Sequence, residues 1–148
     1  MERKGATVKG IRLVCVLMVG CATALAQQDS TITVWEKGVP PAGTTRANFG
    51  DHTMTIGHRD KDGRVEVHQK ISDVLVIQSG SATLVTGGEV VDPVTTGPNE
   101  IQGSAIKGGV KREIGPGDVI EIPPGVPHQF FVAPGTQVTY LAVKVVRQ

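Results

Sequence analysis

The sequence predicts an all-β domain, a sandwich or jelly-roll barrel assembled from many short strands. Three observations carry this. Glycine and proline number 19 and 9 among 148 residues and supply chain reversals at short intervals. Val, Ile and Thr are plentiful while aromatic residues make up only 3% of the chain, a composition that favours short strands. Beyond the N-terminal segment no window keeps a 3.6-residue apolar period, which excludes a helical bundle or coiled coil. The length suits one domain with a single core. A formal net charge of +1, with no basic block, leaves no electrostatic footprint for nucleic acid.

Residues 1–26 have the three-part layout of a secretory signal peptide. Arg3, Lys4, Lys9 and Arg12 precede an apolar run from Leu13 to about Ala22, and Ala24-Leu25-Ala26 supplies a small-x-small cleavage site. The run is too short for a stable membrane anchor. The expectation is an exported protein, periplasmic or secreted, whose mature chain begins at Gln27. Both cysteines, Cys15 and Cys21, fall in the removed segment, so the mature chain has no disulfide, thiol nucleophile or thiolate metal site. Met18-Val19-Gly20-Cys21 loosely matches a lipobox, and lipidation at Cys21 would be the route to a membrane; Ala24-Leu25-Ala26 is the better processing site.

Residues 27–50 read as an N-terminal arm with a first strand at 31–35 and a Pro40-Pro41-Ala42-Gly43 loop; residues 51–148 read as the barrel. Strands are expected at 54–57, 65–68, 74–78, 82–86, 110–114, 119–122, 129–132 and 137–146. They are separated by turn signals such as Lys61-Asp62-Gly63, Ser79-Gly80 and Gly115-Pro116-Gly117. In the last strand Val138, Tyr140, Ala142 and Lys144 share one face, opposite Thr139, Leu141, Val143 and Val145. The least regular stretch, 88–109, reads as either a functional lid or a decorated hairpin tip. Lys111-Arg112-Glu113 reads as a solvated strand edge, and His52 and His58 as solvated loop residues.

Two patches carry chemistry. Glu66 and His68 lie two apart on a strand, so both point to one face about 7 Å apart, a spacing suited to chelation. Asp73 follows beyond a turn expected at 69–72, and Gly80 comes seven residues later. The second patch runs from Gly117 to His128, where Pro123-Pro124-Gly125 forms a turn that delivers His128 to the start of another strand.

These patches resemble the two motifs of the cupin superfamily. The second motif runs Gly, five residues, Pro, one, Gly, two, His, three, Asn; Gly117, Pro123, Gly125 and His128 meet four positions and Val132 replaces the Asn. In the first motif Asp60 stands at the opening Gly, Glu66 replaces the first His, His68 supplies the second, Asp73 replaces Glu, and Gly80 falls in register. The resemblance spans residues 58–146 and is nearest to small secreted bacterial single-domain cupins, which share a stretch like VIQSGSATLVTGG at 76–88 and a turn like Gly108-Gly109.

The resemblance implies a single-domain cupin-type jelly-roll β-barrel with a pocket at one mouth, often assembled as a homodimer. It further implies one divalent transition metal with positions left open for substrate, drawn from Fe, Mn, Zn, Ni or Cu. Carried over by position, His68, Asp73 and His128 are the expected metal ligands, and Glu66 is a fourth ligand or the catalytic general base. A mixed His/carboxylate shell suits Fe(II), Mn(II) or Zn(II). The expected function is a metal-dependent small-molecule enzyme of isomerase, lyase or dioxygenase type. The alternatives are a non-catalytic small-molecule or sugar-binding module, with metal structural or absent, and a partner-binding protein with a dry barrel. The sequence has no nucleophile-elbow, P-loop, zincin or Rossmann motif.

Overall fold

Alternating apolar residues and frequent turns fold into two antiparallel sheets around one core, the all-β jelly roll the sequence predicts. In the computed structural model the described residues run from 32 to 147. The expected signal peptide, Cys21 and the first residues of the arm lie outside them. From Thr33 onward the chain forms one unit. Its strands are β1 (Arg46–Asn48), β2 (His52–Arg59), β3 (Val65–His68), β4 (Ile71–Gly80), β5 (Ala82–Thr86), β6 (Glu89–Val91) and β7 (Val94–Gly97). They continue with β8 (Glu100–Gly103), β9 (Ala105–Lys107), β10 (Val110–Ile114), β11 (Val119–Ile122), β12 (His128–Phe131) and β13 (Val138–Val146).

One sheet has the order β1-β2-β13-β4-β11, the other β10-β5-β12-β3-β8-β7, and β6 and β9 form a separate ribbon. Every pairing among these strands is antiparallel. The core draws on both sheets: Leu75, Ile77, Ile122, Val138, Tyr140 and Ala142 from the first, Ala82, Leu84, Ile114 and Phe130 from the second. Lys144 continues the inward face of β13 beyond Val138, Tyr140 and Ala142, so the apolar stripe ends in a charge at the barrel mouth. Tyr140 stacks on Phe130 with ring centroids 5.0 Å apart. The Tyr140 ring lies over its register partner Gly57, where an added Cβ would come within 2.3 Å of Tyr140 Cζ. Only glycine leaves room for that ring.

The structure revises several local expectations. Residues 32–35 of the expected first strand are not in a sheet; Ile32 and Val34 are 87% and 61% exposed, so no apolar face drives their pairing. A single 3-10 turn, Glu36–Gly38, follows instead, and the Gln78 side-chain amide donates to the Gly38 carbonyl. Residues 88–109 hold four strands, of which β8 joins the main sheet beside β3. This is an elaborated hairpin, with Gln69 N–H donating to the Asn99 carbonyl to tie it down. The turn expected at 69–72 is shorter than read from the sequence, because β4 already begins at Ile71, so Asp73 sits inside β4.

His52 and His58 are strand residues of β2, not loop residues. His52 stacks on Phe49, while exposed His58 bonds through its ring to Thr139 Oγ1 at 3.0 Å. Lys111-Arg112-Glu113 is exposed on edge strand β10, as expected.

The packing at Gly57 generates a test. Gly57→Ala is expected to lower unfolding stability by about 1–3 kcal/mol through overpacking against Tyr140. Urea denaturation measures the change, and unaltered stability would contradict the close approach.

Candidate metal centre

The site forms where strand register brings polar residues of both sheets to one end of the barrel. Glu66 and His128 are direct partners across β3 and β12, so their side chains share a face. His68, two residues beyond Glu66, shares it too. Glu66 Oε2 lies 3.8 Å from His68 Nε2 and 3.8 Å from His128 Nε2. One ligand atom from each of these three residues falls within 4.8 Å of the others. The turn that carries His128 is tied to this strand directly: Gly125 N–H donates to the His68 carbonyl at 2.9 Å. Gly125 has φ +79°, a left-handed conformation that glycine adopts without strain.

Asp73 reaches the cluster from the facing sheet. Its Oδ2 is 3.4 Å from His68 Nε2 and 3.7 Å from His128 Nε2. The structure thus brings all four expected site residues together: Glu66, His68 and His128 meet within 4.8 Å, and Asp73 lies slightly nearer than Glu66 to each imidazole. Asp73 is held from its own sheet by Lys144, its register partner on β13. The Lys144 ammonium donates to both Asp73 oxygens at 2.9 Å and approaches His68 Nε2 at 2.8 Å.

Both imidazoles are oriented from behind. His68 Nδ1 bonds to Glu100 Oε2 at 2.5 Å, and His128 Nδ1 to the Val126 carbonyl at 3.1 Å. Each acceptor takes a proton from Nδ1, which assigns Nε2 as the nitrogen facing the centre. Such outer contacts are what orient metal-binding histidines. The donor chemistry fits a transition metal, with two inward imidazole nitrogens and two carboxylates. A cation already stands among these donors in the form of Lys144 Nζ.

The charges respond to this crowding. Burial pushes the His68 imidazole down and the Lys144 charge adds to this, but hydrogen bonding and charge from Asp73, joined by Glu100, outweigh both and leave its pKa raised. Burial pushes the Asp73 carboxyl up, yet His68 and Lys144 more than offset it, so Asp73 is held below its usual range and ionised at neutral pH. Burial dominates at His128 and lowers its pKa despite the Val126 carbonyl, which keeps the ring neutral at neutral pH.

A cavity of about 230 Å³ opens beside the cluster, and Glu66, Asp73, His128, Lys144, Arg46 and Arg59 are among the residues that line it. Arg59 is fixed in place. Its Nε donates to the Tyr140 hydroxyl at 3.0 Å and its guanidinium lies 5.3 Å from the Phe130 ring centroid.

Sequence reasoning missed Lys144 and Glu100. Alternation along β13 placed Lys144 with Val138, Tyr140 and Ala142, which was the available signal that it faces inward. Glu100 lies in the irregular 88–109 stretch, and its pairing with His68 depends on a sheet register that no local pattern announces.

No family model matches the chain, and no curated protein does. Solved structures do. A conserved protein of uncharacterised function with a double-stranded β-helix domain from Klebsiella pneumoniae superposes with a TM-score of 0.52 at 16% identity, covering 82% of this chain and 88% of that one. Hydroquinone 1,2-dioxygenase from Sphingomonas sp. TTNP3, solved with 4-hydroxybenzoate bound, gives 0.51 at 12% identity over 68% and 63% of the two chains. A cupin protein from Bacteroides fragilis gives 0.46 at 19% identity over 66% and 68%. The likeness is one of architecture: this chain has the double-stranded β-helix fold.

Proposed function

We propose that the protein is a metal-dependent small-molecule enzyme that binds one divalent transition metal at the barrel mouth. The observation that carries this reading is the convergence of His68 Nε2, His128 Nε2 and Glu66 Oε2, with both imidazoles pinned through Nδ1. His68, His128 and a carboxylate, Glu66 or Asp73, would hold the ion. When bound, the metal supplies Lewis-acid or O₂-activating chemistry, of the kind used in isomerase, lyase or dioxygenase reactions. Fe(II), Mn(II), Zn(II) and Ni(II) all accept such donors.

The protein's own groups account for the rest. The cavity admits a compact molecule and is too small for a polymer. Arg46 and Arg59 line it, two positive residues suited to an anionic group on the substrate, and the Arg59 guanidinium is held by Tyr140 and Phe130. Glu66 is the carboxylate of the cluster with the greater side-chain exposure, 31% against 5% for Asp73. Where Asp73 holds the ion, Glu66 is left free to take a proton from a substrate. The signal-peptide layout of residues 1–26 supports export of the protein, a reading that N-terminal sequencing of the mature chain tests.

Titration calorimetry with Mn(II) and Zn(II) tests the metal site. One saturable equivalent is expected, lost in the His68→Ala/His128→Ala double variant while its circular dichroism stays β-type. No binding by the wild type, or equal binding by the variant, would contradict the reading and leave the barrel as a ligand-binding module. Glu100→Ala removes the acceptor behind His68 without touching the inward donors. It is expected to weaken metal affinity by about 10–100-fold, measured by the same titration; unchanged affinity would show that Glu100 does not orient the ligand.

A further inference from the structure

We propose that Lys144 is the resident cation of this site, and that a divalent metal enters by displacing its ammonium. This rests on the metal reading above. Lys144 Nζ lies 2.8 Å from His68 Nε2 and 2.9 Å from each carboxylate oxygen of Asp73, so it already engages the inward donors of two site residues. A transition metal would sit at about 2.0–2.2 Å from the same kinds of atoms. The two cations would compete for the same donors and repel each other at contact distance. Occupation by one therefore opposes occupation by the other.

The fold gives the ammonium somewhere to go. The Lys144 side chain is 31% exposed, borders the cavity and carries its charge on a flexible four-carbon stem. Thr53 on β2 is its register partner and shares its face. Thr53 Oγ1 is the one buried side-chain polar atom without a hydrogen-bond partner among the described residues. It offers an acceptor on the side away from Asp73. Asp73, 4% exposed, needs a positive partner in either state, and the exchange supplies one each time: the ammonium before loading, the metal after it. The barrel is thus charge-paired without metal, and its metal affinity is set by competition with its own chain.

Lys144→Met removes the ammonium and keeps the apolar stem. The expected result is a paired, opposite change: Zn(II) affinity rises tenfold or more in calorimetric titration, while the melting temperature of the metal-free protein falls because Asp73 loses its partner. A merely structural lysine would lower both. Lys144→Gln, whose amide still donates to Asp73, is expected to show the same rise in affinity with a smaller fall in melting temperature. Equal or weaker Zn(II) binding by the variants, with the wild type binding, would overturn the exchange and leave the metal site standing. No Zn(II) binding by any of the three proteins overturns both.

The wild-type protein gives a readout that needs no variant. Acylation of Lys144 by an amine-reactive ester, followed by peptide mass spectrometry, is expected to increase several-fold when saturating Zn(II) is added. Labelling that stays the same or falls shows that the ammonium is not expelled.

Discussion

The constraint on which the rest of the site depends is a carboxylate that the fold buries. Asp73 is 4% exposed, and a buried carboxylate without a partner carries a desolvation cost the domain could not absorb. Its partners arrive from separate strands: Lys144 from β13 beside it, His68 and His128 from β3 and β12 of the facing sheet. The contact therefore joins the two sheets at one end of the barrel, where the apolar core no longer does. Leu75, Leu84, Phe130 and Tyr140 fill the middle. Past them the inward positions turn polar, and the chemistry of the mouth follows from how those positions satisfy one another.

Much of this was legible in the sequence where local chemistry dictates local structure. The Pro123-Pro124-Gly125 turn declares itself through proline and a glycine with φ +79°, and so does the position of His128 just after it. Two-residue alternation at Glu66 and His68 sufficed to put both on one face, and the eight barrel strands fell close to where β-branched runs lie between turn residues. The failures also have physical causes. Residues 32–35 have strand-like composition but expose Ile32 and Val34, and propensity without a face to bury does not make a sheet. Strands β6 to β9 are three or four residues long, with β6, β7 and β9 mostly exposed and β8 half-buried throughout, so no hydrophobic period marks them.

Long-range register was the information least available. That Glu100 stands behind His68, and that Lys144 stands opposite Asp73, follows from which strands pair and in what offset. Those offsets are set by the whole barrel. The consequence is chemical as well as structural, because the pairing partners decide which histidine nitrogen faces inward and which charge balances Asp73. The comparisons with known structures agree on architecture and leave the substrate to be found, as expected for a fold that hosts unrelated activities.

The central claim is that this barrel mouth is a transition-metal site built on two imidazoles. X-ray absorption spectroscopy at the zinc edge of the Zn(II)-loaded protein tests it most directly. The account predicts two imidazole nitrogens together with carboxylate or water oxygen at about 2.0–2.2 Å. A shell made only of oxygen, with no imidazole scattering, would contradict it.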